Sequence, residues 1–233
     1  VISRTAILAA AISLSLAGCS SKESSAMPEK TTTTPQVPVT TSNPLLTASS
    51  LPFQAPPFDK IKDSDYLPAF EEGMKQHLAE ITKIAENPDA PTFENTIEML
   101  EHSGTTLDRV SRVFFGLVDA DTNDTRQKIQ EEIAPKLAAH QDEIYLNPKL
   151  FTRIKSIYDQ RDTLSLDPLQ KRLVERDYEG FVHAGAQLPE ADKTTLRKIN
   201  VEESTLSTQF HAKLVAATAA SAIVVDEKIN LMD

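Results

Sequence analysis

From Leu67 to Leu214 the apolar residues recur every three or four positions, a period that lines one face of an α-helix and leaves no room for alternating strands. The first stripe is Leu67, Phe70, Met74, Leu78, Ile81 and Ile84, and it stops at Asn87-Pro88. Thr92 is placed to cap a second helix carrying Phe93, Ile97 and Leu100, with Gly104 near its end. A third holds Leu107, Val110, Phe114 and Leu117. Asn123 or Asp124 caps a longer one with Ile129, Ile133, Leu137 and Ile144 in line, and Pro135 inside that stripe predicts a kink. After the break at Asn147-Pro148 come Leu150, Ile154, Ile157 and Tyr158. Asp167-Pro168 reads as a cap followed by proline at the first helical position, leading to Leu169, Leu173 and Phe181, with Gly185 as the stop. Pro189 opens the last helix, whose stripe is Leu196, Ile199, Leu206, Phe210 and Leu214.

The fold class is therefore all-α, which six glycines and no tryptophan also favour. A short β segment begins near Ala222, where Ile223, Val224 and Val225 stand in a row. A lone strand cannot satisfy its own backbone groups, so its partners are expected from sequence beyond this chain. That is an argument internal to the sequence that the chain is a fragment.

The first residues follow a different logic. Arg4 precedes the apolar stretch Ala6 to Leu16, then Leu16-Ala17-Gly18 and Cys19. A positive residue, a short apolar core and small residues before cysteine read as a bacterial lipoprotein signal, with Leu16, Ala17 and Gly18 as lipobox and Cys19 as the lipidated residue. The stretch is short of the roughly 20 residues that span a bilayer. Val1 in place of Met reads as a non-AUG start translated literally or as a clipped start. Cys19 is the only cysteine, so no internal disulfide forms. Ser20 favours the outer membrane over the inner one. The expected location is the cell envelope, lipid-anchored and facing the periplasm. Residues 1–18 are thus a signal peptide and 19–50, rich in Ser, Thr and Pro, a disordered tether. Residues 51–233 are the helical region. Leu51 to Phe58, with three prolines, is expected as an extended arm whose Leu51, Phe53 and Phe58 pack onto the body.

Net charge is −10, which argues against nucleic acid as a partner, since phosphates demand clustered Lys and Arg. No HExxH motif surrounds any of the five histidines, and no GxSxG turn, P-loop or glycine-rich dinucleotide turn is present. Three carboxylate–histidine pairs fall at helical spacing: Glu98 with His102, Glu179 with His183, and His140 with Glu143. Di-metal bundles use Glu-x-x-His in a different register, so surface or capping roles suit these pairs better. The neighbouring acids Glu71-Glu72, Glu131-Glu132 and Glu202-Glu203 point apart on a helix and read as solvated.

From Asn43 the segments NPLL, LPFQAPPFDKIKDSDYLPAFEEGM, NPDAPTFENTIEMLEHSGTTLDRVSRVFF, LNPKLF, LVERDYEGFVHAGAQL and INVEESTLSTQF follow in order. Together they resemble the N-terminal part of the bacterial peptidyl-dipeptidases (dipeptidyl carboxypeptidases), within the thimet-oligopeptidase family of zinc metallopeptidases. The similarity covers about Asn43 to Asp226. DYLPAF and PTFENTIEMLEHSG carry most of it, while EKINLMD at the end fits less well.

The resemblance implies a helical N-terminal lobe of a two-lobed enzyme that releases C-terminal dipeptides from short peptides. It implies zinc, held by two histidines of an HExxH and a downstream glutamate, none of which has a counterpart here. No catalytic or metal residue is therefore assigned in this chain, and alone it is expected to be inactive and to bind no cofactor. Its expected partners are peptide substrates in the complete enzyme, which is expected to be monomeric, and the membrane through Cys19. The other reading is a free-standing helical lipoprotein that binds peptides or a protein partner.

Overall fold

The computed structural model describes residues 43–221, which form seven α-helices and, among those residues, no strand. The chain is all-α. The lipobox Leu16, Ala17 and Gly18, the cysteine Cys19, and the β segment at Ala222 lie outside the described residues.

The helices are α1 (Tyr66–Ala85), α2 (Met99–His102), α3 (Thr105–Ala120), α4 (Asp124–Tyr145), α5 (Pro148–Gln160), α6 (Pro168–His183) and α7 (Glu190–Ala220). Their starts follow from local chemistry. The side-chain oxygens of Thr92, Asn123, Asn147 and Asp167 each accept a backbone N–H of the turn that follows. Thr92 and Asp167 do so in reciprocal boxes with Asn95 and Gln170. Thr92 starts a wide π-type turn, Phe93–Glu98, that runs into α2. Pro135 sits inside α4, which continues through it to Tyr145.

Two apolar cores share α1. Its first half sends Tyr66, Ala69 and Phe70 against Val110 and Phe114 of α3 and Ile129 and Ile133 of α4. Phe70 meets Phe114 edge to face at 5.3 Å. Its second half sends Ile81 and Ile84 into a core with Ile97, Ile154, Val174 and Phe181. Gly73 lets α1 and α3 approach closely, since a Cβ there would stand 3.0 Å from the Leu107 Cα.

Asn43–Leu46 also belongs to the body. Leu45 is buried, its carbonyl accepts from Arg109, and Asn43 Nδ2 donates to the Asp65 carbonyl at 2.8 Å. The arm behaves otherwise than expected: Leu51, Phe53 and Phe58 are exposed, and Phe53 and Gln54 adopt positive φ in a short turn. Pro52 opens a tight turn over Pro52–Gln54 in place of an extended run, and that turn sends Phe53 into solvent. Leu169 is exposed as well, because α6 turns Val174 rather than Leu169 toward the core.

Helix α7 departs furthest from its sequence pattern. It lies along α4 through a mixed face on which Leu196 and Val201 are half-buried beside Asn200, Ser204, Thr205 and Thr208, while Ile199, Leu206, Phe210 and Leu214 are exposed. Asn200 Nδ2 donates to Asp142 Oδ1 at 2.7 Å, and Lys193, buried, points its ammonium at the Leu146 carbonyl. Polar pairing with α4 thus decides which face turns inward.

Candidate functional site

A cleft of about 420 Å³ lies among α1, α2, α4 and α6. Its wall includes His77, Glu101, Ser103, Gln141, Tyr145, Arg176 and Asp177, over a floor of Ile144 and Phe181.

His77 occupies the inner face of α1, one turn beyond Gly73. Behind it, on α4, stands His140, 4% exposed. The two rings meet at 3.0 Å between His140 Nε2 and His77 Nδ1, and His77 Nε2 lies 3.1 Å from Ser103 Oγ. Ser103 donates its own proton to the Leu100 carbonyl at 2.7 Å. Its oxygen must therefore accept from His77 Nε2–H, which leaves His77 Nδ1 to accept from His140 Nε2–H. This assignment leaves His140 Nδ1 as a buried acceptor without a partner.

Burial pushes the His140 imidazole down to about 4, with the neighbouring His77 ring adding to the effect. Burial lowers His77 too, partly offset by the Glu80 carboxylate. Both rings are neutral at pH 7. Glu80 in turn accepts the Gly104 N–H at 2.7 Å. Gly104 has φ 72°, and a Cβ there would stand 2.8 Å from the His77 ring. Glycine is needed at this position for the backbone and for the histidine alike.

On the opposite wall Asp177 is 8% exposed at its side chain. Its Oδ1 accepts from Arg176 at 3.1 Å, while Oδ2 is buried without a partner. Burial pushes its pKa up to about 6, Arg176 opposes that, and Glu101 adds to it. Arg176 also pairs with Glu101 at 2.5 Å.

Chemically, this cleft can hold a polar group against Asp177. The Ser103 proton is committed to a carbonyl, and His77 presents an N–H rather than a lone pair to it. Among the described residues no three His, Cys, Asp or Glu side chains gather as a metal-ligand set.

Of the carboxylate–histidine pairs only His140 takes part in this arrangement, buried rather than in the surface or capping role expected of it, because its ring packs against His77. His140 is buried while Glu143 faces solvent, and Glu98, His102, Glu179 and His183 are all exposed. Of the neighbouring acids, Glu71 and Glu132 share Lys136 at the surface. The His77–His140 contact escaped the sequence reading because its partners are 63 positions apart. The available signal was a histidine on an apolar stripe at each place. No described helix is long and apolar enough to cross a membrane.

No family model matches the chain. Over 185 residues it is 48% identical to the dipeptidyl carboxypeptidase of Salmonella typhimurium, covering 79% of this chain and 27% of that protein. Over 193 residues it is 46% identical to the dipeptidyl carboxypeptidase of Escherichia coli K12, covering 83% and 28%. The oligopeptidase A of the same bacterium is 23% identical over 186 residues, covering 79% and 27%. The chain spans about a quarter of the length of these curated relatives.

Proposed function

Since the chain belongs to the oligopeptidase family, with dipeptidyl carboxypeptidases among its relatives, we propose that it is the helical lobe of a peptidyl-dipeptidase. The complete enzyme removes C-terminal dipeptides from short peptides. The observation that carries this reading is 46% to 48% identity over about four fifths of the chain.

In this reading the lobe contributes shape rather than chemistry. Zinc is bound, and water activated, by residues outside this chain, and the helices wall off part of a channel that admits peptides and excludes folded proteins. The chain alone does not cleave peptides. Cys19 carries the lipid that holds the enzyme in the cell envelope, facing the periplasm.

The test is a chimera in which this chain replaces the matched span of the Escherichia coli relative. Products from an N-blocked pentapeptide are read by mass spectrometry. Release of the C-terminal dipeptide, abolished by a zinc chelator and restored by zinc, is the expected result. A folded chimera that releases no dipeptide sinks the reading and leaves the helical lipoprotein. For the anchor, labelled palmitate should enter the full chain in cells and be lost in Cys19→Ser.

A further inference from the structure

Helix α7 has two unlike faces. The face on α4 is mixed, with Leu196, Val201 and Ala212 half-buried beside Asn200, Ser204 and Thr208. The outward face carries Ile199 (54% exposed), Leu206 (56%), Phe210 (68%) and Leu214 (52%). At 3.6 residues per turn these four form one line about 22 Å long, on the side opposite the contact with α4. Leaving such a line in water forfeits on the order of 1.5 kcal/mol or more per large side chain relative to burial. A contiguous apolar line rimmed by polar residues is the mark of a contact surface.

Two observations say what covers it. The relatives devote only 27% and 28% of their length to the span this chain matches, so nearly three quarters of each lies elsewhere and needs a surface to pack on. The line also holds a carboxylate: Glu203 stands exposed between Ile199 and Leu206 and accepts from Ser207 Oγ at 2.8 Å.

We propose that the outward face of α7 is the seam against which the remainder of the full-length protein docks, through an apolar surface that sets a basic side chain opposite Glu203. This rests on the peptidase reading above and adds to it the residues that join the two parts.

Leu206→Cys and Phe210→Cys, each in a Cys19→Ser background, test the seam by maleimide labelling. Two proteins are compared, the 233-residue chain alone and the chimera with the Escherichia coli relative. Labelling about tenfold or more slower in the chimera, as for side chains removed from water, is the expected result. Equal rates in a folded chimera overturn the proposal. Protection in the chain alone that grows with its concentration also overturns it, in favour of a second copy.

If the chimera does not fold, the Escherichia coli relative lacking the matched span is co-expressed with this chain as a separate polypeptide. It should co-purify with the wild-type chain and not with the Leu206→Glu, Phe210→Glu double variant. Co-purification with both, or with neither, overturns the seam. Dipeptide release is read separately: release without protection sinks the seam alone, and protection without release sinks the peptidase reading alone.

Discussion

His140 donates its Nε2 proton to His77 Nδ1 at 3.0 Å, so two neutral imidazoles, from α4 and α1, tie the ends of the two cores together. The bond needs at least one neutral ring, because two imidazoliums would bring two N–H donors face to face. His140 is buried, and its second nitrogen has no partner to help it accept a proton.

Stability should therefore depend on pH. In the unfolded chain His140 titrates near 6.5, while in the folded protein it does so at about 4. Between those values the unfolded state binds more protons, so stability rises with pH. The His140 contribution is present in full above pH 6.5 and is lost as pH falls toward 4. The urea midpoint of the wild-type chain should drop across that window. In His140→Leu the drop should be shallower, and an unchanged slope would mean that this ring does not carry it.

Asp177 works in the opposite sense. Its folded pKa of about 6 lies above the ordinary aspartate value of 3.8, so between these values the folded state binds more protons. Its penalty grows as pH rises through 6 and is complete at pH 7. Asp177→Asn keeps the shape, can still accept from Arg176 and removes the buried charge. It should raise stability by about 1 kcal/mol at pH 7.5, read as a higher urea midpoint, and change little at pH 4. A loss at pH 7.5 would show that the ion pair with Arg176 outweighs the cost of burial.

The sequence was most informative where local chemistry decides the outcome. Asn147-Pro148 and Asp167-Pro168 open helices as their chemistry requires, because cap and proline act within one turn. The stripe on α1 found its core because its neighbours, Phe114 and Ile97, are apolar too. Of the α7 stripe only Leu196 is half-buried, although its period is as clear. Asn200 and Lys193 were given partners by Asp142 and Leu146 on α4, and nothing in the α7 segment announces that pairing. The cleft was hidden for a similar reason, since His77, His140 and Asp177 come from three helices and meet only after packing.

Two glycines make a matched test of the site's backbone. Gly104→Ala places a Cβ 2.8 Å from the His77 ring at φ 72°. It should destabilise the protein by about 1–3 kcal/mol and disturb the histidine pair, visible as shifted imidazole NMR resonances. Gly116, inside α3, has open space where a Cβ would stand, with nothing within 4 Å. Gly116→Ala should be neutral or stabilising by up to about 1 kcal/mol through helix propensity. Equal effects from the two would refute the steric role given to Gly104.

Arg153 makes a different kind of join. It is 6% exposed on α5 and donates to the carbonyls of Asn87 and Asp89, both at 2.9 Å, and to Asn95 Oδ1 at 2.9 Å. Its Nε also reaches Thr96 Oγ1 at 3.3 Å. One planar guanidinium thus satisfies the loop between α1 and the π-type turn at several points, and a lysine, with a single ammonium, cannot span them. Arg153→Ala removes the shared donor from two part-buried carbonyls and from Asn95, so it should cost about 2 kcal/mol, within the range for hydrogen bonds to a charged group. Arg153→Lys should recover less than half of that. Both should speed amide exchange at Asp89 to Asn95 while leaving α3 protected. Uniform loss of protection across α3 and the loop would show that Arg153 supports the whole fold rather than this corner.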